Sequence, residues 1–231
     1  SFVATSRAEE SNLDPNHRFA WGENIGWTNW VHERPEPFDG VIIGADFLTG
    51  FIWGENVGWI HAGDGTPADG RRYSNNDDTD FGVNIKGNGN LTGLGWGENV
   101  GWINFDTAGA LGEQRARFDN CSRRFRGYAW GENVGWINLD DEEHFISMPE
   151  PPCQSIRELK VKCTRRGVLK TILTSFLTEG TSIHAVDNAD NAEFCMIINS
   201  RGKGKFKRRD QGGLHEICLI ECPLCQEVTC P

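Results

Sequence analysis

Apolar and polar positions in the first 148 residues change over short runs, and the runs come in the same order along the chain. Val41-Ile42-Ile43, Phe81-Gly82-Val83-Asn84-Ile85 and Ala116-Arg117-Phe118 have the length and the β-branched or aromatic content of short strands. Turn-forming residues follow them, as in Lys86-Gly87-Asn88-Gly89-Asn90. Next comes a Gly-x-x-Trp approach: Gly50-Phe51-Ile52-Trp53, Gly93-Leu94-Gly95-Trp96 and Gly127-Tyr128-Ala129-Trp130. The units leave through Ile60-His61, Ile103-Asn104-Phe105 and Ile137-Asn138-Leu139. The pattern predicts about three short antiparallel strands per unit, and an all-β fold.

At the centre of each unit is one heptapeptide, Trp-Gly-Glu-Asn-Val-Gly-Trp, at 21–27, 53–59, 96–102 and 130–136. Only Ile25 departs from it. Gly and Asn accept the positive φ of tight turns, so a three-residue loop fits across Glu23-Asn24-Ile25. That loop sets Gly22 opposite Gly26 and Trp21 opposite Trp27. The repeated structural residues are Trp21, Glu23, Asn24 and Trp27; Trp53, Glu55, Asn56 and Trp59; Trp96, Glu98, Asn99 and Trp102; and Trp130, Glu132, Asn133 and Trp136. Paired rings flanked by glycines suggest burial, which predicts that the indoles pack in the core. The glutamates or backbone carbonyls would then accept the indole N–H groups. Convergence of the four carboxylates on a cation or ligand is the alternative, and it requires that the repeats close in a ring.

The repeat domain spans 19–148, behind a polar extension at 1–18. No apolar strand precedes Phe19, so the first unit presents an edge that something must cover. His144-Phe145-Ile146-Ser147-Met148 could cover it within the chain, or a neighbouring subunit could cover it between chains. A ring, a sandwich and an open stack all accommodate such units. The loop from His61 to Asp80 is rich in Gly, Asp and Asn; its Asp77, Asp78 and Asp80 are calcium candidates, without the spacing of an EF-hand. No other metal and no cofactor is expected.

Met148-Pro149-Glu150-Pro151-Pro152 punctuates the chain, with 149–152 as linker. Residues 1–149 carry 11 Lys and Arg against 23 Asp and Glu, a net of −12, while 150–231 carry 12 against 10, a net of +2. Six alternating runs predict a small immunoglobulin-like β-sandwich over 153–231: Arg157 to Cys163, Val168 to Phe176, Thr181 to Val186, Phe194 to Asn199, Gly204 to Arg208 and His215 to Glu221. Cys121, Cys153, Cys163, Cys195, Cys218, Cys222, Cys225 and Cys230 are an even set, dense at the C-terminus, which points to disulfides and an oxidising compartment. Seven of them follow the linker, so one is left for Cys121. It reaches the second domain, pairs with another chain or stays free. Cys222-Pro-Leu-Cys225 also has metal-ligand spacing, without the second pair a zinc site needs.

The repeat with its Cys-rich companion resembles secreted bacterial proteins that carry tandem Trp-rich repeats followed by a Cys-rich β domain. That resemblance covers 19–139 with a specific motif and 153–230 loosely, and implies export and a cell-surface setting. The start at Ser1 without Met suits a processed product. The sequons at Asn90 and Asn120 matter only if the host glycosylates them. There is no apolar stretch of transmembrane length. The basic run Arg201 to Arg209 reads as one exposed strand, and an acidic chain is not expected to bind nucleic acid. No nucleophile elbow, P-loop, zincin or dinucleotide motif is present, and a glutamate repeated four times is unlike a catalytic residue. The expectation is an extracellular structural protein that self-associates with other copies, as a filament or surface-layer subunit. The alternative is a secreted carbohydrate-binding or adhesive module; an enzyme comes third.

Overall fold

The computed structural model describes residues 9–32, 38–209 and 211–231. The chain divides into two compact units: Ser1–Asp119 with Arg123–Pro149, and Asn120–Ser122 with Glu150–Pro231.

Each heptapeptide turns a hairpin. The strands are β1 (Phe19–Gly22), β2 (Gly26–Asn29), β3 (Leu48–Gly54), β4 (Gly58–Gly63), β5 (Leu91–Gly97), β6 (Gly101–Asn104), β7 (Tyr128–Gly131) and β8 (Gly135–Asn138). The register is the one the motif predicts: Trp21 faces Trp27 and Gly22 faces Gly26, with the same pairs in the other three hairpins. A backbone bond from Ile25 N–H to the Gly22 carbonyl closes the first turn, and Gly26 follows at φ 73°. That positive φ is the reason for the second glycine of the motif.

The hairpins join into a closed ring. β2 pairs β3, β4 pairs β5, β6 pairs β7 and β8 pairs β1, all antiparallel. The result is an eight-stranded barrel. Its first strand is covered by the fourth repeat, through Ile137↔Gly22 and Asn138↔Trp21, so among the described residues the eight-stranded ring is closed. The expected cover segment serves a neighbouring place: Ile146 bridges Arg18, and Ser147 exchanges backbone bonds with the 14–17 stretch. The described part of the polar extension lies on its own domain, with Leu13 buried and the Asn12 side chain bonded to both backbone groups of Ile43. Residues 1–8 lie outside the described residues. Val41–Ile43 and Val83–Ile85 add short strands to β3 and β5, while Arg117–Asp119 pairs with Arg124–Arg126.

Alternation decides what enters the barrel. The residue before the first Trp and the residue after the second point inward: Ala20, Ile52, Gly95 and Ala129, then Thr28, Ile60, Ile103 and Ile137. Two positions further on, Trp30, Ala62, Phe105 and Leu139 fill one end, with large residues beside small. Trp30 is the buried tryptophan; it packs against Phe125 at 5.0 Å and Phe105 at 6.4 Å, and its indole N–H donates to the Thr28 hydroxyl. The first repeat carries Thr28 and Trp30 where the others carry Ile and then Ala, Phe or Leu, and these two side chains fit each other inside the barrel.

The second unit is a sandwich of β9 (Ile156–Cys163), β10 (Leu169–Ser175), β11 (Ser182–Asp187), β12 (Ala192–Ile197), β13 (Lys203–Arg208), β14 (Gly213–Leu219) and β15 (Cys225–Cys230). One sheet runs β9-β10-β13 and the other β12-β11-β14-β15, an immunoglobulin-like order. Its core includes Leu169, Leu173, Ile183, Met196 and Ile217. Cys153–Cys222, Cys163–Cys230 and Cys218–Cys225 are bonded, and Cys121 bonds Cys195. No cysteine is free among the described residues. Four disulfides suit an oxidising compartment.

Candidate functional site

The eight paired indoles stand on the outer wall of the barrel, not in its core. Trp21, Trp96, Trp102, Trp130 and Trp136 are 38–41 % exposed, and Trp27, Trp53 and Trp59 are half-buried. The expectation of core packing named the right pairs and the wrong face. The cause lies at the first glycine of each motif. A Cβ on Gly22 would meet Ile25 at 2.6 Å, and on Gly54, Gly97 and Gly131 it would meet the Val of the same turn at 2.4–2.5 Å. The fifth residue folds back over that glycine and plugs the barrel end, with Ile25, Val100 and Val134 buried and Val57 partly so. Glycine leaves room for this plug, and period two then sends both flanking indoles outward. Within each pair the rings meet at a steep tilt, with centroids 4.7–4.9 Å apart and planes at 56–63°.

The asparagine has a structural reason too. Asn56 Nδ2 donates to the Ile25 carbonyl, Asn99 to Val57, Asn133 to Val100 and Asn24 to Val134. Each repeat is latched to the one before it, and the fourth hands on to the first. Glu23, Glu55, Glu98 and Glu132 differ. All four are exposed at the turn end of the barrel, and their side chains hold no hydrogen bond or ion pair among the described residues; the Glu55 backbone N–H donates to the Trp27 carbonyl at 3.2 Å. They are not acceptors for buried indoles, and they form no metal-grade cluster among the described residues.

The seam between hairpins is where these groups come together. A wide, shallow groove between the second and third hairpins is lined by Phe51, Gly58, Trp59, His61, Trp96, Glu98 and Asn99. His61 lies opposite Trp96 across the strands and stacks on Phe51 at 4.5 Å. The same register sets Asn29 opposite Trp53, Asn104 opposite Trp130 and Asn138 opposite Trp21. Four equivalent seams result, each with two indoles, an Asn or His and a rim glutamate. Those on either side of the fourth hairpin are the more open. At the first, His32 stacks on Trp53 at 5.4 Å and His144 tilts against Trp27 at 4.6 Å. The aromatic neighbours Phe19, Phe51, Tyr128 and His61 were missed as site residues. Their two-residue offset from a Trp is the signal, because it places them on the same face.

The other candidates stand apart. Hydrogen bonds from the Thr79 hydroxyl and backbone N–H hold the Asp77 carboxyl below its ordinary range. Asp80 accepts from the Ala68 and Ser74 backbones. The 61–80 loop thus spends these two carboxylates on its own turns, and with Asp78 they form no metal-grade group among the described residues. Cys222 and Cys225 are bonded to different partners, which removes the zinc reading. Glu216 with Cys218 and Cys225 is close enough for a metal, but those two cysteines are bonded to each other. No helix among the described residues is long and apolar enough to cross a membrane. Comparison with known proteins returned no match: no family pattern, no curated protein and no solved structure is similar to this chain.

Proposed function

We propose that the barrel is a multivalent carbohydrate-binding module of an exported, adhesive protein. The observation that carries this is the girdle of outward indoles, two to a seam, beside polar side chains able to hydrogen-bond. An indole face offers a flat apolar platform to the C–H face of a sugar ring, and its N–H a polar edge. Asn, His and Glu supply partners for hydroxyl groups. The rim carboxylates and the net charge of −12 over residues 1–149 favour a neutral sugar over an acidic one. Weak single sites repeated round one rigid ring gain affinity for a polymer by effective concentration. The function is binding, with no chemical step. Self-association as a filament or surface-layer subunit, the other expectation, would have to use a surface other than the pairing of β8 with β1, which closes the ring.

The test is a panel of neutral polysaccharides titrated into the full chain, followed by tryptophan fluorescence. A bound polymer should shift the emission, and Trp96→Ala, Trp130→Ala and their double variant should weaken binding stepwise. Each of these side chains is well exposed, so the variants should remain folded. Failure of every polymer to shift the emission, or full affinity in the double variant, would overturn the proposal.

A further inference from the structure

The second unit is electrically divided between its two sheets. Strands β9, β10 and β13 carry Arg157, Lys160, Lys162, Lys170, Lys203, Lys205, Lys207 and Arg208 against Glu158 alone. Strands β11, β12, β14 and β15 carry Asp187, Glu193, Glu216 and Glu227, with no Lys or Arg. Register sharpens the division. Lys162, Lys170 and Lys207 lie in one row across three strands, and Lys160, Ile172 and Lys205 in the next. Leu159, Leu169 and Leu173 face the core from the alternate positions, so the lysines share the outer face. Lys160 pairs with Glu158 at 2.7 Å; the row of three has no acid among the paired strand positions.

Like charges directly opposite across strands destabilise a sheet. A row of three lysines therefore costs stability unless an anion covers it. The geometry points to this face as a docking surface for a linear anionic polysaccharide. Neighbouring lysines stand about 5 Å apart across the sheet and about 7 Å apart along β13. This is a grid on which an extended, regularly charged polymer can lie in many registers. Lysine suits that role, because its flexible point charge makes no demand for the planar two-point geometry of arginine. The strands of this face offer no row of rings on which successive bases could stack: Phe206 turns inward and stacks on Phe194 at 3.9 Å, and the exposed Phe176, just beyond β10, lies under the Arg157 guanidinium at 4.8 Å. The face belongs to the second unit, and the inference does not rest on the function proposed for the barrel.

The test measures the full chain on immobilised heparin and on immobilised polygalacturonate across a salt series. The row variant Lys162→Gln/Lys170→Gln/Lys207→Gln is compared with an equal charge loss on the barrel domain, Arg71→Gln/Arg72→Gln/Lys86→Gln. Wild type should be retained and released by salt, and neutral dextran should not compete. The row variant should bind on the order of 100-fold more weakly, at about tenfold for every 1.4 kcal/mol and about 1 kcal/mol per surface lysine. The barrel variant should bind as wild type does. Three results would overturn the inference. Wild type could bind neither polymer at physiological salt. The two triple variants could lose affinity equally, which would report net charge alone. Sedimentation could instead show salt-sensitive self-association, abolished in the row variant without polymer binding, which would assign the face to a second copy of the chain.

Discussion

Gly131→Ala tests the packing that turns the indoles outward. A Cβ at 131 would lie 2.4 Å from Val134 Cγ2, while its next neighbours, Ile103 Cγ1 and the Trp102 carbonyl, are at 3.5 Å. The clash is thus with a single methyl. Forcing it in should cost about 1–3 kcal/mol. Val134 is buried, and Val134→Ala removes two methyl groups, a loss of roughly 1–3 kcal/mol from transfer and the void left behind. The double variant removes the methyl that Gly131→Ala collides with, and what remains is ordinary contact. Its cost should therefore fall below the sum of the single costs by at least about 1 kcal/mol, well outside the roughly 0.5 kcal/mol expected of independent sites. Urea unfolding followed by tryptophan fluorescence is the assay. All nine Trp lie in the first 136 residues, so the signal reports the barrel domain without the sandwich. Additive costs would refute the account of the first glycine as the seat of the plug.

Four further expectations follow from particular contacts. Trp30→Ala should lower barrel stability by about 3–5 kcal/mol and Trp96→Ala by less than about 1 kcal/mol, because one ring is sealed and the other stands in solvent; the same urea assay separates them. Asn99→Ala removes the donor to the Val57 carbonyl at 3.1 Å and should cost about 0.5–1.5 kcal/mol, with Asn133→Ala costing a similar amount if the latch is cyclic. Burial raises the Glu221 carboxyl above its ordinary value, against the opposing bond from the His184 N–H. A raised folded value means that stability is present below the unfolded value and lost as pH rises through the folded one. Glu221→Gln should therefore be more stable than wild type at neutral pH, and the gain should vanish below the ordinary glutamate value of about 4.3, as read by thermal circular dichroism. Peptide mapping without reduction should recover Cys121 joined to Cys195, and Cys121→Ser/Cys195→Ser should cost about 2–4 kcal/mol.

The hairpins were legible because their chemistry is local. Gly-Glu-Asn-Val-Gly encodes a three-residue loop by itself, and the loop fixes Trp opposite Trp. Ring closure was not legible, since the seam between hairpins rests on only two residue pairs whose partners lie in different repeats. The wrong face for the indoles has the same origin. Period two separates two faces but does not say which is inside. The decision was made by glycine and valine together, through a clash that exists only in three dimensions. In the sandwich, six strands showed as alternation, but Cys225–Cys230 did not, because its short, cysteine-bounded run read as a disulfide or metal tail. The lysine row was hidden for a further reason. Arg201 to Arg209 is visible as one basic run, yet Lys162 and Lys170 lie far from it in sequence and reach it only through the pairing of β9 with β10 and β10 with β13.

The heptapeptide can now be divided by cause. Its first glycine seats the plug, its Val or Ile is the plug, its second glycine supplies the positive φ, and its Asn latches one repeat to the last. Folding thus accounts for four of the seven positions: both glycines, the Asn and the Val. It accounts less well for the rest. The glutamate side chain makes no hydrogen bond or ion pair among the described residues, and five of the eight paired indoles leave more than a third of their surface in solvent. An outward cross-strand pair of rings does stabilise a hairpin, by roughly 0.2–1 kcal/mol, but a pair of β-branched residues would supply a comparable term without exposing large apolar faces to water. Four internal copies nevertheless keep Trp, Glu and Trp in the same places. Positions that repeat without a folding reason, and that a closed barrel gathers at four equivalent seams, are where a ligand is to be sought.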